Sequence, residues 1–144
     1  MMNISVSESI NINPLDRAVQ PNSFDSIKIL VVDDELDSLD ILTLVLQQEG
    51  AEVISVVSAP AALEVFDRTT PDLIISDIGM PHTDGYTLMT KIRKLPQGQN
   101  IPAIALTAYA REIDMQQSFE AGFQKHMAKP INIPLLIATI TELL

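Results

Sequence analysis

Four short apolar runs in this 144-residue chain each stop at a polar residue. They are IKILVV before Asp33 and Asp34, DLIIS before Asp77, IPAIAL before Thr107, and GFQKHMA before Lys129 and Pro130. Runs of this length, bounded by Gly, Pro and acidic residues, read as buried strands. Between them, apolar residues recur every three or four positions, which is helical spacing. Strands alternating with helices pack as a parallel sheet covered on both faces, so the chain reads as α/β.

The strands are expected at 27–32, 52–57, 72–76, 101–106 and 123–128. Helices are expected at 35–49, 59–69, 85–95 and 111–121, with a last one after Asn132. Gly50 sits where a helix-ending glycine belongs, and Asn132 is placed to cap the last helix with Pro134 in its first turn. Right-handed crossovers leave few topologies for five such units. The commonest is the flavodoxin-like (βα)5 order 2-1-3-4-5. Residues 1–26 lack a sustained period and read as a tail or linker, leaving 27–144 as one domain.

Composition narrows the function classes. The chain is 47% hydrophobic but only 4% aromatic, so its core must be aliphatic. A net charge of −10 disfavours nucleic acid and anionic membrane surfaces as direct partners. With no cysteine, thiolate metal sites and thiol chemistry are excluded. The first residues, MMNISVSESI, have neither a basic n-region nor an apolar h-region, and no apolar run is long enough to span a bilayer. A cytoplasmic location is the expectation.

In a sheet of that order, the polar residues ending strands one, three, four and five emerge at one edge. Each has an ordinary explanation alone: Asp33 and Asp34 as helix-start carboxylates, Asp77 as a turn residue, Thr107 bonded to local backbone, Lys129 as a surface cation. Together, three carboxylates at one edge repel one another, and a hard divalent cation such as Mg2+ removes that cost. DDELDS after the first strand repels phosphate unless a cation intervenes, which argues against a flavin or nucleotide cradle. A carboxylate nucleophile attacking phosphorus fits better, with Thr107 and Lys129 as donors to the remaining oxygens.

These residues resemble a two-component response regulator receiver domain. The resemblance covers 27–144 and rests on ILVVDDE at 29–35, PDLIISDIGMPHTDG at 71–85, ALTAYA at 105–110 and AKP at 128–130. It implies that Asp77 accepts the phosphoryl group. It further implies that Asp34 ligates Mg2+ (or Mn2+) directly and Asp33 largely through water, with Asp77 and the Gly79 carbonyl completing the set. Thr107 and Lys129 would hold phosphoryl oxygens, and the Lys129–Pro130 bond is a candidate cis peptide. The implied donor is a histidine kinase or histidine phosphotransfer protein, and a homodimer through the fourth helix, fifth strand and fifth helix is a further implied partner. The later motifs are similar to C-terminal receivers of hybrid sensor kinases.

Three positions modify this picture. His126 stands where an aromatic switch residue is usual, three before Lys129. Gly79 and Tyr109 flank the route of hydrolytic water; Gly79 brings no side chain to orient it and Tyr109 is placed to shield the acyl phosphate, so self-dephosphorylation should be slow. The expected activity is self-phosphorylation and slow hydrolysis, not multiple turnover. The competing readings are an aspartyl-phosphate phosphatase, which wants a second Asp where Gly79 stands, and an unphosphorylated scaffold of the same fold.

Overall fold

A computed structural model describes residues 23–81, 83–108 and 112–144, with the backbone alone at 112 and 113. Its strands are β1 (Lys28–Val32), β2 (Glu52–Val56), β3 (Leu73–Asp77), β4 (Ala103–Thr107) and β5 (Lys125–Ala128). The helices are α1 (Leu36–Gln48), α2 (Ala59–Arg68), α3 (Gly85–Arg93), α4 (Glu112–Ala121) and α5 (Ile133–Leu143), with a 3₁₀ turn at Pro96–Gly98. All strand pairs are parallel and their order is β2-β1-β3-β4-β5, the flavodoxin-like arrangement expected from the sequence.

Alternation along the strands splits the core in two. Leu30, Val32, Ile74, Ala103 and Ala105 face α2 and α3, where Ala62, Phe66, Leu88 and Ile92 meet them. Ile29, Val31, Leu73, Ile75, Ile104 and Leu106 face α1 and α5, against Leu39, Leu42, Leu46, Leu136 and Ile140. A strand buried on both faces has no room for alternating polar residues, which is why these strands read as continuous apolar runs. Truncating one of them, such as Ile74→Ala, costs ~2–5 kcal/mol.

Local signals set the helix ends. The Ser58 side chain accepts from the Ala61 N–H at 3.2 Å, Asp84 from Thr87 at 2.8 Å and Asn132 from Leu135 at 3.0 Å. Each satisfies one of the donors left open at a helix start. Gly50 follows α1 with φ of 96°, a left-handed conformation that L side chains rarely adopt.

Several details differ from the sequence reading. Phe24, assigned to the tail, is buried in the α1/α5 side of the core, and its N–H donates to Glu49 O at 2.9 Å. A lone aromatic carries no period, so the pattern could not find it. Asp77 and Thr107 are the last residues of their strands rather than the first of the loops. On α4, Met115 and Phe119 project outward while Ser118 is fully buried. Residues 1–22 of the expected tail lie outside the described residues. Among the described residues no helix is long and apolar enough to cross a membrane.

Candidate functional site

Parallel register brings the strand ends together. Val32 pairs with Ser76, Asp77 with Leu106, and Thr107 with Ala128, so the residues ending β1, β3, β4 and β5 share one rim. Backbone bonds continue each ladder one step beyond the strands. Asp33 N–H donates to Val56 O at 3.1 Å, Ile78 N–H to Leu106 O at 2.9 Å and Lys129 N–H to Thr107 O at 2.7 Å. The Lys129–Pro130 peptide bond is cis.

At this rim a cavity of about 280 Å3 is lined by Asp34, Glu35, Asp77, Gly79, Thr107, Ala108 and Lys129. Lys129 Nζ lies 3.0 Å from Asp33 Oδ2, 2.8 Å from Glu35 Oε1 and 3.3 Å from Asp77 Oδ2. Asp33 is fully buried; its Oδ1 accepts the Glu35 N–H at 2.9 Å. Its Oδ2 is near Lys129 but off the hydrogen-bond direction, and has no hydrogen-bond donor among the described residues. Asp77 Oδ1 accepts the Gly79 N–H at 3.2 Å. The loop after β3 closes through Gly85, whose N–H donates to Ile78 O at 3.0 Å. A Cβ on Gly85 would collide with the Asp77 carbonyl, so only glycine fits beneath the site.

Burial pushes the Asp77 carboxyl above the usual aspartate range and the Asp33 charge adds to it, outweighing Lys129 and the Gly79 N–H. Asp34 is pushed the same way, first by desolvation and then by its hydrogen bond and charge contact with Asp77. Burial alone would lower the Lys129 ammonium. The hydrogen bond to Glu35 and the adjacent charges of Asp33 and Asp77 override it and hold Lys129 above the ordinary lysine value. Lys129 in turn holds the Glu35 carboxyl low.

Oxygens of Asp33, Glu35 and Asp77 all lie within 4.8 Å of one another. A divalent cation fits this donor set: it is all oxygen, it leaves one buried carboxylate oxygen without a donor, and it carries more negative charge than one ammonium balances.

Of the residues singled out from the sequence, Asp34, Asp77, Gly79, Thr107 and Lys129 line one cavity, with Asp33 behind Lys129. His126 does not join them. Its Nδ1 is bonded to Ser118 Oγ at 2.9 Å, tying β5 to α4. Tyr109 lies outside the described residues. Glu35 joins the site although the sequence marks it only as the first residue of a helix. A third acid directly after the Asp33–Asp34 pair was the available signal.

The sequence matches the response regulator receiver domain family over residues 29–141, and the chain belongs to that family. It is a receiver domain of two-component signalling. It is 44% identical over 114 residues to an uncharacterized 14.6 kDa protein of Leptolyngbya boryana, covering 79% of this chain and 87% of that one. It is 33% identical over 126 residues to the sensor histidine kinase RcsC of Escherichia coli, covering 88% of this chain but 13% of that protein. Among solved structures, the chemotaxis protein CheY4 of Vibrio cholerae superimposes with a TM-score of 0.79 at 28% identity, over 82% of this chain and 98% of that one.

Proposed function

We propose that Asp77 is the phosphoacceptor and that Asp33, Asp34, Asp77 and the Gly79 carbonyl hold a Mg2+ (or Mn2+) ion beside it. The observation that carries this reading is Lys129 Nζ, 3.3 Å from Asp77 Oδ2 at the mouth of a cavity that Thr107 also lines. Bound metal would neutralise oxygens of the incoming phosphoryl group. An Asp77 oxygen attacks phosphorus while the bond from phosphorus to the donor nitrogen breaks, and its electron pair stays on the departing imidazole ring. Lys129 offers a positive charge and Thr107 a hydroxyl to the transferred oxygens. The later attack of water on the acyl phosphate returns Asp77 and phosphate slowly.

The donor in this reading is the phosphohistidine of a histidine kinase or histidine phosphotransfer protein. Phosphorylation adds roughly 1.5 to 2 negative charges and acceptor oxygens that draw Thr107 inward. The loop after β4 and the surface of α4, β5 and α5, including His126 and Tyr109, shift with it. Exposed Met115 and Phe119 make the α4 part of that surface suited to a protein partner, a second copy of the chain included.

Incubation with acetyl phosphate and Mg2+ tests the reading. A stable mass gain of one phosphoryl group is expected; steady phosphate release would indicate a phosphatase, and no modification a scaffold. NMR shifts with a beryllofluoride mimic should reach α4 and β5, and shifts confined to the Asp77 loop would refute the switching step.

A further inference from the structure

Lys129 has three N–H donors, and three carboxylates already surround it. Two of its N–H groups are engaged by Glu35 and Asp77, and the Asp33 carboxylate crowds it at 3.0 Å, so an incoming phosphoryl oxygen competes with these carboxylates for the ammonium. The Asp33 and Asp77 side chains are 0% and 8% exposed, whereas that of Glu35 is 64% exposed. Releasing Asp33 would strand a buried charge; releasing Glu35 returns a carboxylate to water, at the small cost typical of an exposed pair.

The backbone around Glu35 is built for such a release. Glu35 stands at the N-cap of α1 with extended φ and ψ, but its side chain makes no cap bond. Its N–H is fixed to Asp33 Oδ1 at 2.9 Å, so the main chain stays in place while the side chain is held chiefly by Lys129 at 2.8 Å. The remaining contact, from Ser38 Oγ, is long at 3.5 Å.

We infer that Glu35 is a positioning residue, an exchangeable partner that keeps the Lys129 ammonium in the site before phosphorylation and yields it to the incoming phosphoryl oxygen. This rests on the function proposed above. It implies that the resting site is self-competing: the short Glu35–Lys129 pair opposes the contact that the phosphorylated state needs.

The test is the affinity of the intact chain for beryllofluoride in saturating Mg2+, measured by calorimetry on wild type, Glu35→Gln and Glu35→Asp. Glu35→Gln should bind roughly two- to fivefold more tightly, the scale of one exposed ion pair removed. Glu35→Asp keeps the charge but shortens the reach, and should behave like Glu35→Gln. Equal or weaker binding by Glu35→Gln, or a Glu35→Asp variant indistinguishable from wild type, overturns the inference. So does an equal gain in affinity for Mg2+ alone, which would place the effect at the metal. If wild type binds no beryllofluoride, the phosphoacceptor reading falls and this one with it; if wild type binds and the variants match it, only this one falls.

Discussion

The Ser118 hydroxyl and the His126 ring are joined by a 2.9 Å hydrogen bond between Oγ and Nδ1. The hydroxyl proton goes to the Asp114 carbonyl at 2.9 Å, so the ring must donate from Nδ1. His126 Nε2 is buried with no partner among the described residues. The position usual for a rotating aromatic is therefore pinned to α4 from inside. Removing the hydroxyl leaves a desolvated donor unpaired, and Ser118→Ala should cost ~1–3 kcal/mol in urea unfolding. Adding His126→Phe should recover part of that loss, because both polar groups are then gone. A double variant as unstable as the sum of the two singles would contradict the coupling.

Asp77 and Asp34 titrate above their ordinary values in the metal-free fold. Groups raised in this way favour the folded state fully below the unfolded carboxylate value of about 3.9, and that advantage is lost as pH rises through the folded value. At neutral pH the metal-free site is thus a burden on stability. Asp77→Asn should stabilise the metal-free protein at pH 7 by on the order of 1 kcal/mol, with little gain at pH 3.5. Mg2+ should raise the melting temperature of wild type more than that of the variant. Thermal unfolding with and without Mg2+ at both pH values checks both statements.

Lys129 gives the opposite end of the pH range. Its raised value contributes stability that is complete below the ordinary lysine value of about 10.4 and is lost as pH rises through the folded value. Lys129→Met should therefore change the alkaline limb of the stability profile and leave the protein unable to hold beryllofluoride tightly. An unchanged affinity for the mimic would remove Lys129 from the site's chemistry.

Two glycines by the acceptor should respond differently. A Cβ on Gly85 meets the Asp77 carbonyl and, at 2.9 Å, the Ile78 Cα, both backbone. Gly85→Ala should cost ~1–3 kcal/mol and slow phosphorylation by displacing Asp77. A Cβ on Gly79 has nothing within 4 Å, so Gly79→Ala should fold like wild type. Denaturation midpoints and acetyl phosphate labelling rates separate the two.

That open space at Gly79 also bears on lifetime. No side chain there orients water toward the acyl phosphate, so hydrolysis in the isolated chain should take hours. Gly79→Asn should shorten it several-fold by supplying a hydrogen-bonding side chain. A wild-type half-life below about a minute would refute the account.

The sequence made the sheet legible because burial on both faces removes polar residues from most of the three central strands, as in ILVV, LII and AIAL. It made most of the site legible because Asp33, Asp77, Thr107 and Lys129 each interrupt such a run. Glu35 was hidden by its exposure: an acid at a helix start has an adequate local reason to be there, and its pairing with Lys129 spans 94 positions. Ser118 was hidden for the converse reason. A serine among Met115 and Phe119 reads as the wet side of a helix; its buried hydroxyl is satisfied by the Asp114 carbonyl and the His126 ring. Phe24 lies beyond any periodic segment, and its ring packs into the α1/α5 side of the core while its N–H bonds Glu49 O.

The most direct test is to find which side chain carries the phosphoryl group. After labelling with acetyl phosphate and Mg2+, borohydride reduction converts an aspartyl phosphate to homoserine, and peptide mass spectrometry locates it. Homoserine at position 77 alone, absent without Mg2+ and absent in Asp77→Asn, is the predicted result. Homoserine at position 33 or 34, or a labelled protein with none at 77, would contradict the account.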